Sequence, residues 1–375
     1  MPGTLLSSSS VKEAARIFLD WAALEGLMTP VQPPKKKLEE LLPFISSVSD
    51  EGKANLRTRG INFVGFNELD KEITVFIKRV VPKSKNFIES LPKNVCGYNI
   101  KYRQGQLEEI GKTQIVAHSS PPWVIRQSKN KNNHYACGSS ISVGNAREAG
   151  SLGCLVKDSE GTIYGLSNNH VTGSCNHAQV GLPILAPGVA DVIAGGLNPF
   201  TIGHHKKTLQ MNPGDPSIIN SLDNYDAAIF EILKLDNVTS FQGNQYDTPT
   251  KTIPFQPGQT VEKVGRTTGY TIGKVQEPLY GPIPITYSAD IYGFSGSVYF
   301  CPVYLIYGLQ DCFSDNGDSG SLIVTKDDLG ERFAVGIVVG GGIDSRAPGG
   351  KITIALPIIP ILEKLGVALV TNHNV

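Results

Sequence analysis

From about residue 134 to residue 357 the chain is a succession of short apolar runs broken by Gly, Asn, Pro and Asp turns. That succession limits the fold more than any other feature of the sequence. Gly153-Cys154-Leu155-Val156, Ala227 to Leu233, Thr260 to Val264, Val298 to Leu309, Ser321 to Val324 and Ala334 to Val339 have the residue types expected of strands. No long helical period intervenes before Pro357, which leaves an all-β arrangement of two barrels over residues 134–375. The 40 glycines and 24 prolines suit a fold with that many turns. A closing helix is expected over about Ile358 to Leu365.

The first third reads differently. Val11, Ala14, Ala15, Phe18, Leu19 and Ala22 recur at helical spacing, with Ser10 as N-cap and Gly26 and Pro30 as stops, so a helix is expected over residues 11–27. A shorter one starts near Lys36 and is limited by Pro43. Ile61, Phe63, Gly65 and then Ile73, Val75, Ile77 alternate as strands do. Ser84 to Leu91 is a short helix and Cys96 to Tyr102 a third strand. Residues 1–118 are therefore expected to form helices plus a small α+β module, and 119–133 a polar linker, leaving 134–375 as the main domain. The N-terminal helices either pack on the domain that follows or meet a protein partner.

Chemistry concentrates in Asn316-Gly317-Asp318-Ser319-Gly320-Ser321. Glycines on both sides of Asp318-Ser319 permit a tight turn that exposes a serine and brings a carbonyl close. Amide N–H groups of Gly317 and Ser319 could then converge where an oxyanion develops. Alone, such a hexapeptide also reads as a Gly/Asp/Ser loop between two strands. Two further stretches change that. His170 follows the strand-like run Thr162 to Leu166, and Asp226 heads another, Tyr225 to Phe230. A serine needs a base and the base an orienting acid. The order His, Asp, Ser, with gaps of 56 and 93 residues, leaves room for the strands between. His170 and Asp226 fall in the first barrel and Ser319 in the second, with a cleft between. Asp223, three residues before Asp226, is the rival acid.

The 34 basic and 34 acidic residues cancel, which argues against general attraction to nucleic acid or anionic membranes. No apolar run reaches the ~18 residues of a membrane span, and no secretory leader is legible. The six cysteines form no CxxC pair, so no metal or other cofactor is expected, and a reducing, cytoplasmic setting suits them.

With these motifs in hand, residues 135–366 resemble the trypsin-like (chymotrypsin-fold) serine peptidases, closest to bacterial and plant intracellular-type members with a small α+β module in front. Asn168-Asn169-His170-Val171 stands where secreted relatives usually have Ala-Ala-His-Cys. Asp226-Ala227-Ala228-Ile229, Gly265-Arg266-Thr267-Thr268-Gly269 with Gly273, and Gly317 to Gly320 supply the other motifs. The resemblance implies Ser319 as nucleophile, His170 as base, Asp226 as its orienter, and Gly317 and Ser319 as oxyanion donors. It implies Val338, Val339 and Gly340 as the strand that pairs with substrate backbone, and Phe313 near the base of the specificity pocket. A Phe there argues against Arg or Lys cleavage and for a small or apolar side chain. Asp318 is usually structural in this family and pairs with a freshly cut N-terminus in activated zymogens. No Arg/Lys-Ile-Val-Gly signal precedes the first barrel, so the site is either preformed or opened by another trigger. The expected function is a serine endopeptidase acting on protein or peptide, its N-terminal region regulatory or folding-assisting. The alternatives are a catalytically silent protease-fold binding module and an esterase using the same triad.

Overall fold

The computed structural model describes residues 10–29, 31–111 and 121–375. The expected boundary at residue 118, Ser119-Ser120 and Pro30 lie outside the described residues. The chain is mainly β, with two barrels carrying an α+β region at the front.

In that region the helix Val11–Leu24 forms as its spacing predicts. The Ser10 hydroxyl accepts from the Glu13 N–H, and Val11, Ala14, Ala15, Phe18 and Trp21 are buried along one face. It ends earlier than residue 27 because Gly26 turns left-handed and the N–H of Leu27 returns to the Ala22 carbonyl. A helix over Asp50–Arg59 was not legible: only Leu56 supplies a buried apolar side chain, so it has no amphipathic period. What starts it is Ser49, whose hydroxyl accepts from Gly52 N–H. The helix stripe packs against a four-stranded sheet made of Ile61–Asn67, Glu72–Ile77, Tyr98–Gln104 and Asn94–Val95, in that order. The expected third strand begins later, at Tyr98, because Cys96 and Gly97 both have positive φ and form the tip of a hairpin.

The second barrel closes as a ring. Its strands run Leu322–Lys326, Thr260–Gly265, Gly269–Pro278, Tyr304–Gly308, Lys351–Pro357 and Arg332–Ile343, and the last pairs back with the first. The first barrel combines an eight-stranded sheet, which holds Ile163–Ser167 beside Ala228–Ile232, with a four-stranded one. The run Val298 to Leu309 is two strands rather than one. Pro302, which has no N–H to give a ladder, separates Phe294–Phe300 from Tyr304–Gly308. Phe294–Phe300 forms a long hairpin with Ile283–Ala289.

Three junctions hold the parts together. The front sheet meets this hairpin's approach, where Tyr280 N–H donates to the Val64 carbonyl, and Phe63 and Phe76 enter a core shared with Tyr287, Phe300 and Leu305. The helix Ile358–Leu365 leaves the second barrel at the predicted residues. After it, Ala368–Leu369 adds a strand to Cys154–Lys157 of the first barrel. Beyond that strand the Thr371 hydroxyl donates to Asp247 and the His373 N–H to Ser240 Oγ, also in the first barrel.

Candidate active site

His170 sits on a short helical turn, Asn169–Thr172, that begins as the Ile163–Ser167 strand ends. Asp226 precedes the neighbouring strand Ala228–Ile232, so the strand pairing sets the two side by side. One Asp226 oxygen takes the His170 backbone N–H at 3.0 Å and the other lies 2.5 Å from Nδ1. A carboxylate only accepts, so Nδ1 carries the proton and Nε2 is left as the acceptor. Asp226 is fully buried, and two further contacts hold it: Tyr287 OH donates to Oδ2 at 3.1 Å, and Asn168 Nδ2 donates to its backbone carbonyl at 2.6 Å. Asp223 is elsewhere, largely exposed and facing Lys364.

Ser319 lies across the cleft in the turn 315–320. Gly317 has φ +97°, and a Cβ there would meet Arg266 and Thr267 side-chain atoms at 2.4 and 2.6 Å, so the position admits no side chain. The first barrel grips this turn: Ser151 N–H donates to the Ser319 carbonyl at 2.8 Å, and Ser151 Oγ to the Gly317 carbonyl at 3.1 Å. The Ser319 hydroxyl has one proton, and it donates it to the Val339 carbonyl at 2.9 Å. To be deprotonated by His170 the side chain must first turn away from Val339.

Beneath the turn, Asp318 is fully buried against Lys263, also fully buried, at 3.3 Å. Its two oxygens accept from Thr267 N–H, Thr268 N–H, Thr268 Oγ1, Asp315 N–H and Lys263 Nζ. Burial pushes this carboxyl up, but Lys263, the Thr268 hydroxyl and the backbone donors outweigh burial and hold it below its usual range. Burial pulls the Lys263 ammonium down while Asp318 opposes it. With every neighbour of the carboxylate a donor, and Thr268 Oγ1 and the Gly269 carbonyl also accepting from Nζ, the pair is ionised. An internal lysine thus stands opposite the acid that precedes the serine. Sequence reasoning missed Lys263; its one signal was the charged pair Glu262-Lys263 in mid-strand, where one of the two must face inward.

A second buried pair, Arg266 with Asp191 at 2.5 Å, bridges the barrels beside the same turn. The cleft itself, an open space of ≈ 800 Å³, is lined on one side by His170 and Glu148 and on the other by 314–317, Ser319, Gly340 to Gly342 and Lys351.

Part of the expected substrate strand is otherwise engaged. Val338 gives its N–H to Ser321 and its carbonyl to Gly320, so it belongs to the barrel wall. The Val339 carbonyl holds the Ser319 hydroxyl, and Gly340 does line the cleft. Phe313 is corrected: it is fully buried in the second-barrel core with Phe255, Ile306 and Val338 and does not reach the cleft. Ser314 and Asp315, the next two residues, do. Gln106–Leu107 from the N-terminal region pairs antiparallel with Gly342 and Ile343, and Glu108 N–H donates to the Gly341 carbonyl at 3.0 Å. Ile110 then abuts Gly340, where a Cβ would come within 2.6 Å of its Cδ1, and exchanges backbone bonds with Thr286 and Ser288.

No protein-family model matches the chain, and no curated protein matches it. Several solved structures are similar. Thermobifida fusca protease A is 21% identical, with 63% of this chain and 100% of that one covered, at TM-score 0.41. Nocardiopsis protease is 19% identical over 62% and 97%, at 0.39, and Cellulomonas bogoriensis chymotrypsin 18% identical over 63% and 98%, at 0.40. At such scores the two-barrel assignment rests on the strand pairing described above. No helix among the described residues is long and apolar enough to cross a membrane.

Proposed function

We propose that this chain is a trypsin-like serine endopeptidase working through an acyl-enzyme, with its cleft covered by its own segment 106–111. The observation that carries this reading is the His170–Asp226 pair facing Ser319 across one cleft. Ser319 Oγ attacks the scissile carbonyl and its proton passes to His170 Nε2. Asp226 holds the imidazole and balances the charge it gains, with Tyr287 and Asn168 fixing Asp226. The N–H groups of Gly317 and Ser319 receive the oxyanion. His170 returns the proton to the leaving amine, and water then opens the acyl-enzyme by the same route reversed.

Segment 106–111 supports the regulatory role of the N-terminal region. It adds an antiparallel strand to the edge at Gly341–Ile343, as an extended peptide substrate would. A catalytically silent binding module is the second reading, favoured by that occupancy and by the Ser319–Val339 bond.

Labelling with an uncharged fluorophosphonate separates the two. It is run on wild type, Ser319→Ala and Glu108→Pro, the last lacking the N–H that bonds Gly341. We expect Glu108→Pro to label at least about tenfold faster than wild type, since the substitution removes the Glu108–Gly341 backbone hydrogen bond and disturbs the strand pairing beside it. Ser319→Ala should not label. Folded Glu108→Pro that takes no label would sink the peptidase reading, and label that persists in Ser319→Ala would sink the assignment of the nucleophile. Turnover of simple esters without peptides would favour an esterase.

A further inference from the structure

We infer that Lys351 makes this cleft select an acidic side chain immediately before the cleaved bond, an inference that rests on the peptidase reading above. The pocket beside Ser319 is walled by Gly340, Gly341 and Gly342, which contribute no side chains, and by Ser314, Asp315 and Ile352. Behind that wall the Ser314 hydroxyl is tied to the buried Thr353 Oγ1 at 2.6 Å. Two permanent cations line this space: Arg266, whose guanidinium is committed to Asp191, and Lys351, on the strand paired with the glycine wall.

Lys351 bonds Asp315 Oδ1. That oxygen also takes the Asn316 N–H at 2.7 Å, and the Asp315 backbone N–H goes to Asp318. Asp315 is thus committed to holding the nucleophile turn, whereas an ammonium has three donors and this contact uses one. Burial works against the charge on Lys351, but Asp315 and then Glu108 outweigh it and hold the ammonium above its usual range. Glu108 belongs to the covering segment. The strand that occupies the cleft in a substrate-like pairing therefore brings a carboxylate within electrostatic reach of Lys351. When that segment leaves, its two acids, Glu108 and Glu109, leave with it. A substrate carboxylate entering the glycine-walled pocket then meets the remaining Lys351 donors.

The test uses peptidyl diphenyl phosphonates, which Ser319 Oγ would attack at phosphorus with loss of phenol, on full-length wild type and Glu108→Pro. The probes carry glutamate, glutamine, leucine or lysine side chains at the attacked position, with an uncharged fluorophosphonate alongside. The expected result is glutamate over glutamine by about tenfold or more, the worth of one hydrogen bond to a charged partner. Lys351→Arg should keep the preference, Lys351→Met should bring the ratio to within about threefold, and Lys351→Glu should turn it toward lysine. Equal rates for glutamate and glutamine overturn the inference while leaving the peptidase reading intact, as does a preference for lysine through Asp315 or a glutamate preference that survives Lys351→Met. Failure of every probe, the uncharged one included, removes the peptidase reading and this inference with it.

Discussion

Removing the Lys263 ammonium by Lys263→Met tests whether an internal ion pair shapes the turn that carries Ser319. Both partners are fully buried, and taking one member out of such a pair costs about 3–5 kcal/mol. Four of the five donors to Asp318 remain, Thr267 N–H, Thr268 N–H, Thr268 Oγ1 and Asp315 N–H, which favours the lower end, about 3 kcal/mol. The Gly269 carbonyl also loses a donor, about 1 kcal/mol more. The expected loss is therefore about 4 kcal/mol, read from the urea midpoint and slope. Met keeps most of the volume, so little of this is cavity. The double variant Lys263→Met/Asp318→Asn should recover at least half, because it no longer buries a lone charge. Fluorophosphonate capture, taken in the Glu108→Pro background, should fall in the single variant as the turn shifts. A loss below about 1 kcal/mol, or a double variant no more stable than the single one, would refute the reasoning.

Asp318 also sets a pH dependence. Its folded carboxyl lies below the ordinary value of 3.8, so its contribution is complete above that value and is lost as pH falls through the folded one. The stability gap between wild type and Asp318→Asn should hold from about pH 7 to pH 5 and narrow below about pH 4; a gap as wide at pH 3 would contradict this. Tyr287→Phe removes one donor to Asp226 while the His170 contacts remain, so the phosphonate capture rate should drop by roughly fivefold, about 1 kcal/mol. An unchanged rate would mean that the hydroxyl does not help hold the acid. Gly320→Ala forces a Cβ to 2.4 Å from Ser167 Oγ and 2.5 Å from the Ser151 carbonyl at φ +94°, and should cost more than about 2 kcal/mol by thermal or urea unfolding.

The parts of the molecule legible in the sequence were those with a local signature. Strand succession announces the barrels, the Ser10 cap and its apolar stripe announce the first helix, and Gly317 and Gly320 announce a turn whose φ values only glycine tolerates. His170 and Asp226 could be named because each abuts a strand-like run. Lys263, Tyr287, Asn168 and Lys351 could not, since their significance comes from partners 55 to 61 residues away or from a wall built by another strand. Phe313 shows the opposite failure. Counting back from the serine puts it near the pocket, but the loop between Gly308 and Leu322 turns its ring into the second-barrel core and presents Ser314 instead. The covering strand was illegible because Gln106-Leu107-Glu108 acquires meaning only against the edge at Gly341–Ile343.

The strand Ala368–Leu369 completes an edge of the barrel that holds His170, although it lies beyond every other strand in the chain. As the protein is synthesised, His170, Asp226 and Ser319 all emerge before the segment that seals their own framework. The second barrel can close while the first still lacks its outer strand, its Val370–Leu155 bond and the Thr371 and His373 ties to Asp247 and Ser240. On a ribosome, then, the outer edge of Cys154–Lys157 would stay unpaired until translation has passed Leu369. Synthesis order thus leaves the sheet that carries His170 open at one edge while every residue facing the cleft is already made.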